Sequence, residues 1–146
     1  MKSYKGPKFY ISHHDVLKPE SNSTAMRIVF NSSAKVKGDS LNDFLAKGPF
    51  LLNNILGVLL RFRQERYAFI CDISKMFHSI NIPIREQMTH LFVWRDFCTD
   101  LKPKTYAITA VNMGDKPAAA IAQTALRKTA EEAIDKYPQA SKIIIT

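Results

Sequence analysis

The chain reads as an α+β protein, an antiparallel sheet with helices packed on one face. Three observations lead there. A turn-rich stretch, "KPESNST" at 18–24, separates two β-rich runs and suggests a hairpin. Two other segments, 50–64 and 118–137, carry helical spacing. The order that results, β-β-α-β-(mixed)-β-α-β, fits a sheet with helices on one face better than a doubly wound fold.

Each element has its own signal. Residues 1–8 are polar and lysine-rich and read as a loose arm. The first strand is expected over 9–16 and the second over 26–31, "MRIVFN". The turn between them holds one Pro, two Ser, one Asn and one Thr. "SSAKVKGDSLND" is a polar connection that runs toward "KGP", where Gly48 and Pro49 punctuate the chain and Pro suits a helix's first turn. In the helix expected over 50–64, Leu52, Leu56 and Leu60 join Leu51, Ile55 and Leu59 in one apolar face, with Asn54, Gly57 and Arg61 opposite. A strand is expected over 67–73. Pro83 then breaks the chain, and 86–97 is compatible with helix or strand. Residues 106–111 read as a strand. The helix over 118–137 carries Arg127, Lys128, Glu131, Glu132 and Asp135, and its opening alanines, 118–120, permit close backbone packing. Pro138 marks its end, and "KIIIT" reads as the opening of a buried strand.

Composition narrows the function classes. The chain has 146 residues and 46% apolar content, which suits one modest domain with a core and argues against disorder. Lys and Arg number 21 against 13 Asp and Glu, a net charge of +8 that favours polyanions such as nucleic acid. Cys71 and Cys98 stand apart, with no CxxC, and read as buried thiols in a reducing compartment. The lysine-bearing N-terminus lacks the apolar core of a signal peptide. The most apolar run, "FLLNNILGVLL", is short of the roughly 20 residues of a membrane span and holds two asparagines. A soluble, intracellular protein without membrane contact is expected.

Few residues invite chemistry. Asp72 interrupts the apolar run 67–73 near its end, where a desolvated carboxylate costs several kcal/mol unless it is paired or binds a metal. It reads either as a cap or solvated carboxylate, or as a ligand for a hard cation such as Mg²⁺. His13 and His14 are adjacent, so in a strand they face opposite ways and cannot chelate together. His78 lies near Asp72 and His90 stands alone, which leaves no plausible zinc set. GxSxG, P-loop and GxGxxG motifs are absent, and "VNMGDKP" reads only as a bend. In "RFRQER", Arg61, Arg63 and Arg66 suit a helix C-terminus or a nucleic-acid surface equally.

Several stretches, taken in order, carry a resemblance. "KFYISHHDVLKP", "RIVFNSSAKVKGDSLND", "KGPFLLNNILGVLLRFR", "CDISKMFHSI", "LFVWRD" and "VNMGDKPAAAIAQTAL" together cover most of the chain. The chain resembles the reverse transcriptase of BEL/Pao-type retrotransposons. The resemblance implies the fingers (1–66) and partial palm (67–146) of a right-hand polymerase. The family's first palm motif, D-x-x-x-x-[FY], falls on Asp72 to Phe77. It implies that Asp72 and the Ile73 carbonyl hold Mg²⁺, and that Phe77 is a steric gate against a ribose 2′-OH. Lys18 and Arg27 match cations that contact the triphosphate, in keeping with phosphoryl transfer catalysed by positioning and charge neutralisation. Met113 and Gly114 match the bend nearest the base and template. Template–primer and deoxynucleotide are the implied partners, with the rest of a polyprotein, and the implied setting is cytoplasmic.

This sequence departs from the family pattern in three places. Asn31 stands where the family usually has Asp. Pro117 comes earlier than the usual Ser-Pro step after the bend. The Tyr-x-Asp-Asp motif expected after "KIIIT" is not in the sequence. Two-metal catalysis needs several carboxylates around ions ~3.5–4 Å apart, so the chain alone is expected to be inactive. The alternative is a non-catalytic nucleic-acid-binding remnant.

Overall fold

A computed structural model describes residues 4–20, 25–96 and 98–145. Within them the protein is a small α+β fold with two antiparallel sheets of two strands each, and helices. The first sheet is the expected hairpin. β1 (Ser12–Leu17) pairs with β2 (Met26–Asn31) in a register that sets Ser12 opposite Asn31 and Leu17 opposite Met26. The Lys18 amide closes the far end by donating to the Ala25 carbonyl at 2.7 Å. Part of the expected turn, 21–24, lies outside the described residues, as do 1–3 of the expected arm.

The second sheet resolves the ambiguity over 86–96, and residue 97 lies outside the described residues. A 3₁₀ turn (Glu86–Thr89) is followed by β3 (Leu91–Trp94), so both helical and extended backbone occur there. β3 pairs with β4 (Lys104–Ala107), two residues earlier than the strand expected at 106–111. Pairing continues beyond β4 through single bonds. Ile108 N–H donates to the His90 carbonyl at 2.9 Å, Ile82 N–H to Thr109 at 3.0 Å, and Val111 N–H to Ile80 at 2.9 Å.

The single sheet expected from the sequence is thus two ribbons joined at one edge. The lead-in to β1 runs parallel to β3: Leu91 N–H donates to the Phe9 carbonyl at 3.0 Å, and Ile11 N–H to Leu91 at 2.7 Å. An aromatic layer fills the space between the ribbons. His13 lies 5.6–5.8 Å from the rings of Phe30, Phe92 and Trp94, and Phe92 stacks on Tyr106 at 5.6 Å. Around it the apolar core is small: Ile11, Leu41, Met88, Leu91 and Val111, with Ala118, Ala122 and Ala130 from one helix.

Four α-helices complete the described residues. α1 (Leu41–Phe44) is one turn, entered at Ser40, where the Asp43 carboxylate accepts from the Ser40 amide at 2.9 Å and its hydroxyl at 2.8 Å. α2 (Ile55–Phe62) starts later than the expected helix because Asn54 caps it, accepting from the Leu56 and Gly57 amides at 2.9 and 3.3 Å. α3 (Ala118–Glu132) follows the expected course and ends a turn early. Its alanine-rich start receives Gly48, whose φ of +80° suits glycine and where an added Cβ would lie 2.7 Å from the Ala120 Cβ. α4 (Pro138–Ile145) corrects the expected strand at "KIIIT". Pro138 occupies a helix's first position, where its missing N–H costs nothing. Ser141 N–H donates to the Tyr137 carbonyl at 2.9 Å, and α4 packs along α3.

The strand expected over 67–73 is absent. These residues form no regular element and make no ladder, and a strand exists only through a backbone partner beside it. Tyr67, Phe69 and Ile70 are therefore 73%, 91% and 88% exposed, and Cys71, expected to be buried, is exposed with them. Cys98, likewise expected to be buried, is only partly so. No helix among the described residues is long and apolar enough to cross a membrane.

Candidate functional site

The best-defined polar centre lies at the bend in "VNMGDKP". Val111 is anchored to Ile80, and α3 starts at Ala118, so the residues between must reverse direction over a short span. Asp115 turns inward. Its Oδ2 meets His90 Nε2 at 2.9 Å, while Oδ1 accepts from Ser32 Oγ at 2.5 Å and from Asn112 Nδ2 at 3.0 Å. Asn112 Nδ2 also donates to Ser32 Oγ at 2.9 Å. Ser32 follows β2 directly, so the bend is bound to the base of the hairpin.

A second layer of bonds holds the outside of the bend. Asn42 of α1 donates to the Gly114 carbonyl at 2.9 Å and to Ser33 Oγ at 2.8 Å, and its own side-chain carbonyl accepts from the Lys116 amide at 2.8 Å. Gly114 itself lies against β2: a Cβ there would stand 2.7 Å from the Phe30 carbonyl. Among the described residues, every buried side-chain nitrogen or oxygen in the fold has a partner.

The electrostatics follow from that geometry. Burial disfavours charge on His90, but the hydrogen bond and negative charge of Asp115, with help from the Glu86 carbonyl, outweigh it and raise its pKa above the ordinary imidazole value. Burial likewise disfavours a charged Asp115, and its bonds from His90, Ser32 and Asn112 more than offset this, so its pKa is lowered. The arrangement is not a nucleophilic triad. Ser32 gives its proton to the carboxylate, His90 lies on the carboxylate's other side, and Ser32 is buried.

The residues singled out by sequence fall in three places. Asp72 and Ile73 are exposed, in the unpaired segment before Lys75, whose φ of 53° turns the chain into a 3₁₀ helix (Met76–Ser79). Phe77 is half-buried in that helix, against which α3 packs. Met113 and Gly114 are exposed on the bend. Backbone bonds between Ile80 and Val111 join Phe77's segment to the bend. Lys18 and Arg27 are at the other end of the hairpin, exposed, with Arg27 opposite Val16. Five residue steps at ~3.3 Å per residue separate that end from the base. Arg61, Arg63 and Arg66 are all exposed at and beyond the end of α2, with the Arg66 guanidinium 5.7 Å from the Tyr67 ring centroid.

The hairpin base, the Phe77 segment and the bend therefore form one connected body. Asp72 and the hairpin's two cations are not bonded to it through their side chains. No group of three or more His, Cys, Asp or Glu among the described residues is placed to hold a metal ion. Sequence reasoning missed the roles of Ser32, Asn42, His90 and Asp115. Their one local signal was the string of polar residues after β2 and around the bend, because the partners are far apart in sequence. Compared with models of protein families, with curated proteins and with solved structures, the chain matches none of them.

Proposed function

We propose that the chain is the fingers and partial palm of a retrotransposon RNA-directed DNA polymerase. The parent reaction adds a deoxynucleotide to a primer 3′-OH on a template and releases pyrophosphate. The observation that supports this most is the joining of three remote segments. The hairpin base, the helix bearing Phe77 and the bend bearing Met113 and Gly114 are tied by Ser32–Asp115 and Ile80–Val111 bonds. The resemblance gives the nucleotide pocket to the Phe77 helix and the bend, and to the hairpin through Lys18 and Arg27 at its other end. In this reading Phe77 excludes a 2′-OH, Met113 and Gly114 shape the base and template side, and Lys18 and Arg27 neutralise the triphosphate.

Mg²⁺ belongs to the reading, and the donor set bears on it. Asp72 is exposed and able to receive a cation, and Ile73, next in the chain, is exposed with it. Two-ion phosphoryl transfer requires several carboxylates, and these two residues fall short of that set. No step is therefore assigned to this chain alone, and purified protein is expected to extend no primer. Sequencing the transcript and genomic DNA past the Thr146 codon tests the proposal. A frame that continues into Tyr-x-Asp-Asp within about a dozen residues, a strand plus its turn, supports it. A continuing frame with no such carboxylate turn overturns it.

A second reading, a non-catalytic nucleic-acid-binding module, is favoured by the net charge of +8 and the exposed Arg61, Arg63 and Arg66. It expects template–primer affinity that falls steeply with salt and ignores Asp72→Asn. Fluorescence anisotropy across a salt series measures this, and salt-independent or absent binding removes the reading. Mg²⁺-dependent primer extension that is lost in Asp72→Asn would replace it with an active polymerase.

A further inference from the structure

His90 is held in an unusual way. Its backbone is pinned on both sides: the amide donates to Gln87 at 3.0 Å, and the carbonyl accepts from Ile108 at 2.9 Å. Its side chain is 8% exposed and each ring nitrogen faces an acceptor. Nε2 meets the Asp115 carboxylate at 2.9 Å. Nδ1 meets Thr89 Oγ1 at 3.0 Å and the Glu86 carbonyl at 3.3 Å. Thr89 has one hydroxyl proton, and that proton is directed to the Glu86 carbonyl at 2.8 Å. Thr89 Oγ1 is thus left to accept from Nδ1. With Asp115 ionised, as its lowered pKa requires near neutral pH, only an imidazolium, with both nitrogens donating, satisfies all of these contacts together.

We propose that the His90–Asp115 pair is a proton-operated latch, which clamps the 112–115 bend to the base of the β1–β2 hairpin when His90 is doubly protonated. Asp115 is the moving part. One of its oxygens is on His90 and the other on Ser32 and Asn112, so its position fixes both the bend and the hairpin exit. When His90 loses a proton, Nε2–H can still donate to Asp115, provided the Thr89 hydroxyl rotates from the Glu86 carbonyl to Nδ1. The clamp then loses the imidazolium charge and one hydrogen bond. A buried carboxylate is left without its countercharge, which favours opening toward water. The charged groups facing His90 are Asp115 from the bend and Glu86 from the 3₁₀ turn. Lys116 is directed elsewhere, with its Nζ on the Asn42 carbonyl at 3.2 Å. The latch needs no nucleic acid and stands apart from the polymerase reading.

Long-range ¹H–¹⁵N spectra of the uniformly labelled chain report both ring nitrogens across a pH series. The expected result is a doubly protonated ring with a midpoint above 6.5, the ordinary value. The amides of Asn42 and Lys116, which bridge hairpin exit, α1 and bend, should shift with the same midpoint. After correction for base catalysis, their exchange protection should fall through that midpoint. Linkage sets the fall at about tenfold for each pH unit by which the clamped midpoint exceeds that of the open form. In Asp115→Asn, burial is opposed only by the Glu86 carbonyl and charge, and the midpoint should fall below that of the wild type. A wild-type His90 that is neutral below pH 6.5, or Asn42 and Lys116 amides that ignore the His90 midpoint, would overturn the proposal.

Discussion

Gly114 has φ outside the left-handed region, so its need for glycine comes from proximity alone: a methyl group there would press on the Phe30 carbonyl. Gly114→Ala must shift either β2 or the bend, and overpacking of this kind costs about 1–3 kcal/mol. Urea unfolding checks this, and a neutral substitution would mean that the contact yields freely. Asn54 acts differently, through two backbone amides that α2 leaves without helical partners. Asn54→Ala should lower stability by about 1 kcal/mol and shorten α2, read by unfolding and circular dichroism. Residues differed in how legible they were. The bend at "NMGD" could be read from glycine and its polar neighbours. The cap at Asn54 was hidden by Pro49, an equally good start signal five positions earlier. His90, read as solitary, is paired with a carboxylate 25 positions away that no local spacing connects to it.

At the scale of elements, local signals worked wherever an element satisfies itself. The hairpin and α3 close their own hydrogen bonds, and both lie close to where periodicity and turn composition put them. The segment at 67–73 and "KIIIT" carry strong strand composition, yet neither is a strand. β-propensity describes how a residue fits a pleated surface next to neighbours, and neither segment has a neighbouring strand. α2 tells the same story from the other side. Its apolar face was legible, but Ile55, Leu56 and Leu60 are 71%, 63% and 60% exposed. Because Leu56 and Leu60 are mostly exposed, Leu56→Lys combined with Leu60→Lys should leave unfolding free energy within about 0.5 kcal/mol of wild type. The same change should reduce self-association in light scattering, since large exposed apolar patches drive it. A loss well beyond that range would show these leucines to be packed in solution.

At the scale of the whole molecule, class was readable and assembly was not. Element order implied α+β, but the two ribbons meet through Phe9, Ile11 and Leu91, a juxtaposition that turn and periodicity signals do not encode. The buried pair gives this assembly a pH profile. The raised His90 pKa contributes stability that is complete below about 6.5 and is lost as pH rises through the folded value. The lowered Asp115 pKa contributes stability that is present above 3.8 and is lost as pH falls through its folded value. The contribution of the pair is therefore greatest between 3.8 and 6.5. Urea unfolding should give a larger free energy at pH 5.5 than at pH 8, and His90→Gln should flatten that alkaline decline. An unchanged decline in the variant would assign it to other groups.

The unpaired stretch at 67–70 has one more consequence. Proteases bind substrates as backbone free of regular structure, and Tyr67 and Phe69 offer exposed aromatic side chains on such a backbone, ready to be cut. Yet the halves on either side are stitched by Ile11–Leu91, Ser32–Asp115, Asn42–Lys116 and Arg127–Leu51 bonds. Brief chymotrypsin treatment should therefore break the chain here first and leave two fragments that still elute together. The covalent link at this seam would then be dispensable, and the two pieces, expressed separately, should find each other and rebuild the fold.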